Sequence, residues 1–403
     1  MKKMNTDKIK LALIGLGQRG VRLYNAAIKQ RNDVEIVAVC DTYEKRLVEF
    51  AEMLEKEDGI KRQIYTDYRE CIDKSGCDCV VVSTAWSAHI EISMYAMERK
   101  IAVGCEVGGA YSLESLWELV RCYERTKTPI MMLENCCYGR LELLTLNLKR
   151  KGLLGEIVHL EGAYRHDLRE EVVTGEEKHH YRLMQYLKRN CENYPTHELG
   201  PIAKIIDINC GNKFDSLYSV ASKSVGLESF VREKNIEKLK GEKFAQSDAV
   251  TTVIKCRNGE TITLNLVTTL ARYYSRSFLA EGTKGLVCEE NQSVFLDKDF
   301  PGEYFDWRSH FGNIEEYYKQ YDHRLWVGGV NEIGEHSDID KMVMDEFFDA
   351  VKNGTSMPID VYDMASWMAV SVLSEQSIAS GLPVSFPDFT DGKWITRKNE
   401  FAL

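Results

Sequence analysis

The chain has 403 residues, of which 44% are apolar and 28% charged, and its formal net charge is -10 at pH 7. This length predicts two domains, and the composition is that of an ordinary globular protein rather than a disordered one. The acidic charge argues against nucleic acid or an anionic membrane as the main partner, because both would repel the protein. Apolar runs are all shorter than the roughly 18 residues that a transmembrane helix needs.

The N-terminus and the cysteines bear on the cellular compartment. The apolar run in MKKMNTDKIKLALIGLG is short and leads directly into a glycine loop, unlike the apolar core of a secretory signal. Twelve cysteines occur without a CxxC pair, which favours reduced thiols over a disulfide framework or a zinc site. We therefore expect a cytoplasmic protein without a bound metal.

The first third of the chain alternates short β-branched runs with amphipathic stretches. Strands are predicted at KLALIGLG, VEIVAVCD, CDCVVVST, IAVGCEV and PIMML, with helices between them, one of them from Leu113 to Arg125. This alternation predicts parallel βαβ units in a doubly wound α/β sheet. We assign residues 1–135 to this domain.

After residue 135 the pattern changes to a helix, LELLTLNLKRKGLL, followed by strand-like runs such as EIVHLEGAY, LYSVASKSV, DAVTTVIKC and ETITLNLVTTL. Helices rarely interrupt these strands. The pattern therefore predicts an α+β domain over residues 136–403 with an open, mainly antiparallel sheet. The polar segment from Glu289 to Asn331 is predicted to be a long loop.

The sequence GLGQRG directly follows the first predicted strand and precedes a helix. Gly15, Gly17 and Gly20 have the GxGxxG spacing, which permits a tight turn, close approach of a pyrophosphate and close packing of helix on strand. Asp41 ends the second strand, where the dinucleotide fingerprint places an acid that binds a ribose hydroxyl. A carboxylate would repel a 2'-phosphate, so NAD is predicted rather than NADP. The alternative is a glycine turn that only packs.

Several longer motifs resemble the Gfo/Idh/MocA oxidoreductase superfamily, namely GLGQRG, VVVSTAWSAH, GCEVGGA and MMLENCCYGR. Within that superfamily, GAYRHDLR, YRLMQYLKRN, YPTHELGP, ASKSVGL and PIDVYDMASWMAVSVLSEQSIASG are similar to the NAD-dependent glycosidases of glycoside hydrolase family 109. The resemblance covers nearly the whole chain. It implies an N-terminal Rossmann domain that binds NAD, an α-N-acetylgalactosaminidase-like activity, and a second domain for substrate binding and for homo-oligomerisation through its open sheet.

The resemblance also implies roles for residues at matching positions. Those implied to contact NAD, besides the three glycines and Asp41, are Gln18, Arg19, Trp86, His89, Glu106, Val107 and Asn135. Those implied to act on the sugar are the catalytic His197, Tyr194 and Tyr164 and the substrate-binding Arg182, Tyr274, His336 and Glu134. Ordinary alternatives exist: Trp86 and Tyr274 fit partly buried core aromatics equally well, Arg182 fits a solvated helix charge, and His197 fits a core histidine.

The chain also departs from both patterns. Dehydrogenases of the superfamily carry Glu-Lys-Pro where this chain has Glu-Val-Gly from Glu106, and an aspartate where it has Asn193. These differences argue against the interpretation as a simple alcohol dehydrogenase and agree with the pattern of the glycosidases. The segment EHSDID around His336, however, lacks the glycine pair usual in the glycosidases, and Glu198 replaces a small residue. The sugar specificity therefore stays open.

In the reaction that the resemblance implies, NAD+ oxidises C3 of the sugar, C2 becomes acidic, and elimination across C1 and C2 expels the aglycone. Water then adds and the ketone is reduced, so NAD is retained; such glycosidases are exceptions to the two-carboxylate mechanism. His197 suits the base at the C3 hydroxyl, because histidine titrates near neutrality and a helix N-terminus favours its neutral form. Tyr194 and Tyr164, activated by neighbours such as Arg182, are the candidates at C2 and the leaving oxygen.

Three functions remain as hypotheses. The leading one is a glycosidase for an N-acetylgalactosaminide or related hexoside. The second is a sugar C3 dehydrogenase that stops at the keto sugar, and the third is a non-catalytic NAD-binding sensor, which the pairing of Tyr194 with His197 disfavours.

Overall fold

The computed structural model describes residues 8–299, 307–327 and 335–402, and for Trp307, Glu335 and His336 the backbone only. The chain divides into two compact units. Unit 1 comprises the described residues of Met1–Asn135, Gly329–Ala365 and Glu400–Leu403, and unit 2 those of Cys136–Gly328 and Ser366–Asn399.

Unit 1 contains a parallel sheet. Its strands are β1 (Ile9–Ile14), β2 (Val34–Cys40), β3 (Gln63–Tyr65), β4 (Cys79–Val82), β5 (Ala102–Cys105) and β6 (Ile130–Met132). The spatial order is β3-β2-β1-β4-β5-β6, and every pairing is parallel. This is the doubly wound order whose direction reverses between β1 and β4, where ligands bind at the carboxyl ends of the strands. The predicted α/β fold is confirmed.

Helices alternate with these strands in unit 1. They are α1 (Gln18–Ala26), α2 (Glu44–Asp58), α3 (Tyr68–Lys74), α4 (Trp86–Glu98) and α5 (Leu113–Thr126). The start of α5 is encoded locally, since Ser112 accepts a hydrogen bond from the amide of Ser115 at 3.1 Å and so caps the helix. All four residues of β4 are buried, as expected for a central strand of a parallel sheet.

Unit 2 contains the second sheet. Its strands are β7 (Ile157–Arg165), β8 (Phe214–Ala221), β9 (Val250–Cys256), β10 (Thr261–Val267), β11 (Leu279–Gly282), β12 (Gly285–Cys288), β13 (Ser293–Leu296) and β14 (Val384–Ser385). Their order is β13-β12-β11-β7-β10-β9-β8-β14. Of the pairings between described strands, only β7 with β10 is parallel. The predicted mainly antiparallel sheet is confirmed, and β9 alternates buried and exposed residues as a sheet covered on one face should.

The helices of unit 2 before its last segment are α6 (Arg140–Arg150), α7 (Arg169–Val173), α8 (Arg182–Lys188), α9 (Thr196–Ile205), α10 (Gly226–Glu233) and α11 (Ile314–Tyr321). The segment predicted as a loop from Glu289 to Asn331 contains β13 and α11 among its described residues, so that prediction is wrong there. Val294 and Leu296 in β13 and Ile314 in α11 are buried. A few apolar positions suffice to order this otherwise polar segment.

The C-terminal part of the chain contributes to both units through α12 (Glu335–Asn353) and α13 (Val361–Ser380). Helix α12 belongs to unit 1, where Arg31 pairs with Asp345 at 2.9 Å and with Asp349 at 2.7 Å. The predicted division placed residues 136–403 in one domain, and α12 departs from it because these ion pairs and a buried apolar face tie the helix to unit 1.

The twelve cysteines are all free thiols. Within the described ranges, no helix is both long enough and apolar enough to cross a membrane.

Candidate active site

The glycine loop between β1 and α1 is shaped by its backbone. Gly15 has a φ of +96°, and a Cβ there would lie 2.6 Å from the carbonyl carbon of Ser83, so only glycine fits. Helix α1 begins after Gly17, which as a glycine provides no side-chain cap. The first amides of a helix lack intrahelical acceptors and favour an anion. The loop with Gln18, Arg19 and Gly20 therefore fits a pyrophosphate group.

Asp41 lies beside this loop at the end of β2. One of its carboxylate oxygens accepts the amide of Leu16 at 2.7 Å and the other accepts the amide of Tyr43 at 2.8 Å. These bonds orient the carboxylate, and each oxygen can accept a second donor such as a ribose hydroxyl. Asp41 thus fits its predicted role, and it also holds the glycine loop, which the sequence did not reveal.

A buried ion-pair network joins three of the predicted cofactor residues. Arg19 donates to Glu106 at 2.8 Å and to Asp340 of α12 at 2.9 Å, and Asn135 donates to Asp340 at 2.6 Å. Burial raises the pKa of Glu106; Arg19 opposes the rise, and Asp340 and Glu134 increase it. Asp340 was not predicted, because it lies 205 positions from Asn135 and no spacing motif connects them.

Trp86 and His89 at the start of α4 pack against the turn after β5. A Cβ on Gly108 would come within 2.4 Å of the Trp86 indole nitrogen, so the indole lies on this turn, next to the buried Val107. The ring nitrogens of His89 lie 3.1 Å from the carbonyl oxygens of Gly108 and Thr84. Burial lowers the pKa of His89, and a neutral ring can donate to only one of these two carbonyl oxygens. Their contacts with NAD remain predictions.

Unit 2 brings the three residues predicted as catalytic into one cluster. The ring of Tyr164 lies 4.4 Å from that of Tyr194 and 5.7 Å from that of His197, measured between centroids. The Tyr194 hydroxyl lies 3.4 Å from Nε2 of His197, a distance that can tighten when a ligand binds. A phenol and an imidazole at this separation can exchange a proton.

The position of α9 on β7 explains this convergence. A Cβ at Gly162 would lie 2.7 Å from the Cβ of Glu198, so glycine allows α9 to pack directly on the strand that carries Tyr164. The apolar residues of this segment, Leu199, Ile202, Ile205 and Ile206, are at most 4% exposed. Pro201 lies inside α9 and has no N–H to donate to the carbonyl of His197. The helix start is thus held by packing rather than by a complete set of helical hydrogen bonds.

Arg182, at the start of α8, is a buried cation rather than a solvated helix charge. Its guanidinium carbon lies 4.9 Å from the ring centroid of Tyr194, and its Nε lies 2.6 Å from Oε1 of Glu171. Burial alone would lower the pKa of Arg182, but Tyr181, Tyr164 and Glu171 raise it well above its ordinary value.

Burial raises the pKa of Tyr164, and the charge of Arg182 partly opposes that rise. Tyr164 is therefore a neutral phenol near neutral pH, suited to donate a proton or a hydrogen bond.

Tyr274 is the predicted sugar residue at the edge of this cluster. Tyr274 is 48% exposed, and its ring centroid lies 6.3 Å from that of Tyr164 and 5.3 Å from that of His166. His166, which follows β7, was not predicted, although it stands in the quoted stretch GAYRHDLR. Glu134 is fully buried in unit 1. The side chain of His336 lies outside the described residues.

Residues 138–396 match the family model described as "Glycosyl hydrolase 109, C-terminal domain". The chain belongs to glycosyl hydrolase family 109. Residues 9–133 match "Oxidoreductase family, NAD-binding Rossmann fold", so this member has an NAD-binding Rossmann domain, as predicted.

Two relatives in the family cover almost all of this chain. A "Glycosyl hydrolase family 109 protein" of Stenotrophomonas maltophilia is 35% identical over 98% of this chain and 92% of its own length. An "Alpha-N-acetylgalactosaminidase" of Tannerella forsythia is 34% identical over 98% of this chain and 89% of its own. The predicted family resemblance is confirmed, and the chain is an enzyme of this oxidoreductase-like family.

Solved structures share the fold at lower identity. An oxidoreductase from Agrobacterium radiobacter, in complex with NAD+, L-tartaric acid and magnesium, superposes with a TM-score of 0.66 at 18% identity, covering 95% of this chain and 99% of its own. A scyllo-inositol dehydrogenase from Lactobacillus casei, with bound NAD(H) and scyllo-inositol, has a TM-score of 0.65 at 12% identity, covering 94% and 99%. At such low sequence identities the similarity is evidence for the fold alone.

Proposed function

We propose that this family 109 enzyme is an NAD-dependent glycosidase that cleaves an α-N-acetylgalactosaminide or a closely related hexoside while retaining its cofactor. The relative from Tannerella forsythia bears the name of that activity. The observation that carries the proposal is the cluster of Tyr164, Tyr194 and His197 in unit 2, with a buried cation over one of its rings.

NAD, when bound, supplies an acceptor for the hydrogen on C3 and the means of returning it at the end of the cycle. In unit 1 we propose that the loop from Gly15 to Gly20 holds the pyrophosphate, that Asp41 binds the ribose hydroxyls, and that Trp86, His89, Glu106, Val107 and Asn135 complete the site. The support is the pair of amides that orient Asp41 and the glycine loop that no larger residue could form at Gly15.

His197 is proposed to accept the proton of the C3 hydroxyl. Imidazole titrates near neutrality, and general bases work best with such a pKa. Because its Nε2 lies 3.4 Å from the Tyr194 hydroxyl, the proton can be shared between the two groups.

The two tyrosines are proposed to have different roles in the elimination step. Tyr194 lies under the guanidinium of Arg182 at 4.9 Å, which stabilises a phenolate, so Tyr194 removes the C2 proton once C3 is a ketone. Tyr164 keeps its proton because burial raises its pKa, and it donates that proton to the leaving oxygen. Arg182 and Tyr274 contact the sugar ring.

Deuterium incorporation tests the elimination. The wild-type enzyme, loaded with NAD, cleaves a chromogenic α-N-acetylgalactosaminide in D2O, and the product is analysed by mass spectrometry. We expect deuterium at C2 and no net NADH, because C2 exchanges with solvent and the cofactor is restored. Product without deuterium at C2, together with no isotope effect for a C2-deuterated substrate, would contradict the mechanism.

Two tyrosine variants separate the roles. Tyr194→Phe should abolish C2 exchange while leaving single-turnover NADH formation, and Tyr164→Phe should retain exchange but release the aglycone slowly. Stoichiometric NADH in the wild type would instead support a sugar C3 dehydrogenase.

A further inference from the structure

We propose that Glu171 is a positioning residue that balances the charge of Arg182 and thereby makes the sugar site select neutral sugars over acidic ones. The inference rests on the proposed function, in which Arg182 contacts the sugar.

Glu171, His180 and Arg182 form a closed ring of interactions. Oε1 of Glu171 lies 2.6 Å from Nε of Arg182 and 3.6 Å from Nε2 of His180. The backbone amide of Arg182 donates to Nδ1 of His180 at 3.3 Å. Since Nδ1 accepts, the proton of a neutral imidazole lies on Nε2 and faces Glu171. Both the backbone and the side chain of Arg182 are thus held, one by His180 and the other by Glu171.

The ring fixes the direction of the guanidinium. Arg182 is the first residue of α8, and its side chain is 8% exposed, whereas that of Glu171 is 37% exposed. With its Nε edge on Glu171, the guanidinium lies over the ring of Tyr194 at 4.9 Å. The more exposed carboxylate therefore meets one edge of the cation, and the ring of Tyr194 lies against its face.

The net charge of the Glu171–Arg182 pair determines which sugar substituents can bind beside it. A buried guanidinium without a counter-ion binds carboxylates strongly and often through two parallel hydrogen bonds. With Glu171 in place, the charges of +1 and -1 cancel, and an incoming carboxylate would meet a second carboxylate across the guanidinium. Hydroxyl and amide oxygens meet no such repulsion. Specificity then comes partly from a built-in repulsive group.

The variant Glu171→Gln removes the charge and keeps an oxygen acceptor for Arg182. Isothermal titration of the NAD-loaded protein with N-acetylgalactosamine and with galacturonic acid measures both affinities without turnover. We expect wild type to prefer the neutral sugar by at least about tenfold, because galacturonic acid would bring a second carboxylate close to Glu171; tenfold is roughly what one hydrogen bond to a charged group contributes. In Glu171→Gln the ratio should shift toward galacturonic acid by roughly tenfold.

Three further variants isolate the cause. Glu170→Gln removes an exposed carboxylate from the same helix and should leave the ratio unchanged. Glu171→Asp keeps the charge and should retain the wild-type preference. Adding Arg182→Gln to Glu171→Gln should abolish the gained affinity for galacturonic acid. A ratio unaltered by Glu171→Gln in a protein that binds N-acetylgalactosamine would overturn this inference alone. Wild-type protein that binds neither sugar would contradict the proposed function as well.

Discussion

The two units build their predicted sites in different ways. In unit 1, loops at the carboxyl ends of neighbouring parallel strands supply most of the predicted cofactor residues. Backbone groups help to orient them, as the two amides that donate to Asp41 do. In unit 2, the predicted sugar residues come from a strand, two helices and two loops, and they meet through side-chain packing. A site made by backbone turns leaves short motifs in the sequence, whereas one made by packing leaves scattered residues.

Asp340 qualifies this contrast. It belongs to unit 1, yet it reaches Arg19 from 321 positions away, so even the motif-encoded site depends on a helix from the far end of the chain. The four experiments below test how far the contrast holds.

The largest effect is expected at His197, where the packing-built site depends on a single side chain. His197→Ala should lower kcat/KM by about 10²–10⁴-fold and suppress NADH formation in a single turnover, because it removes the proposed base at the C3 hydroxyl. Stopped-flow absorbance measures both. His159→Ala, whose ring binds Thr261 on the sheet, is the control, and a loss below tenfold at His197 would refute its role.

The second largest effect is expected in the ion-pair network of unit 1, where Asp340 contacts Arg19 and Asn135. Asp340→Asn should lower the free energy of unfolding by about 3 kcal/mol, because it leaves Arg19 with one counter-ion and removes the charge that the buried Asn135 faces. Urea unfolding measures the change. Asp349→Asn, on the same helix but 58% exposed, should cost less than about 1 kcal/mol. Equal losses would show that burial of the pair is irrelevant.

Asp41→Ala tests whether motif residues also serve the fold. It should weaken NAD binding by roughly tenfold and abolish the preference over NADP, since it removes a charged acceptor. NADP should not reach the wild-type affinity for NAD, because the amides of Leu16 and Tyr43 lose their acceptor. Fluorescence titration compares both cofactors. Asp67→Ala removes a similar backbone cap on α3 and should leave the preference intact.

The last experiment concerns Glu192, two residues before Tyr194, whose effect is small per pH unit. Burial raises its pKa from the ordinary 4.5 to about 8, so between these two pH values the folded state holds a proton that the unfolded chain has lost. The free energy of unfolding should therefore fall as pH rises, by at most about 1.4 kcal/mol per pH unit. Urea unfolding of Glu192→Gln across a pH series should lack this slope, whereas the exposed Glu315→Gln should retain it. An unchanged slope in Glu192→Gln would exclude Glu192 as the source of this pH dependence.

Sequence patterns predicted the sheets well because burial leaves a period in the residues. The strands from β1 to β6 other than β3 follow β-branched runs, and β3 was missed because its three residues are mostly exposed. Tyr194 and His197 stand three residues apart in the stretch YPTHELGP, so local spacing alone keeps them close. Their approach to Tyr164 came from family resemblance, since no local spacing relates β7 to α9.

By itself, the sequence determined the alternation of strands and helices, the glycine loop with its acid, and the buried face of α9, because each depends on residues a few positions apart. Only the tertiary structure decided that α12 returns to unit 1, that Asp340 joins Arg19 to Asn135, and that Glu171 and His180 hold Arg182 over Tyr194. These contacts link side chains whose partners are chosen by packing, and nothing in the local order of residues specifies that choice.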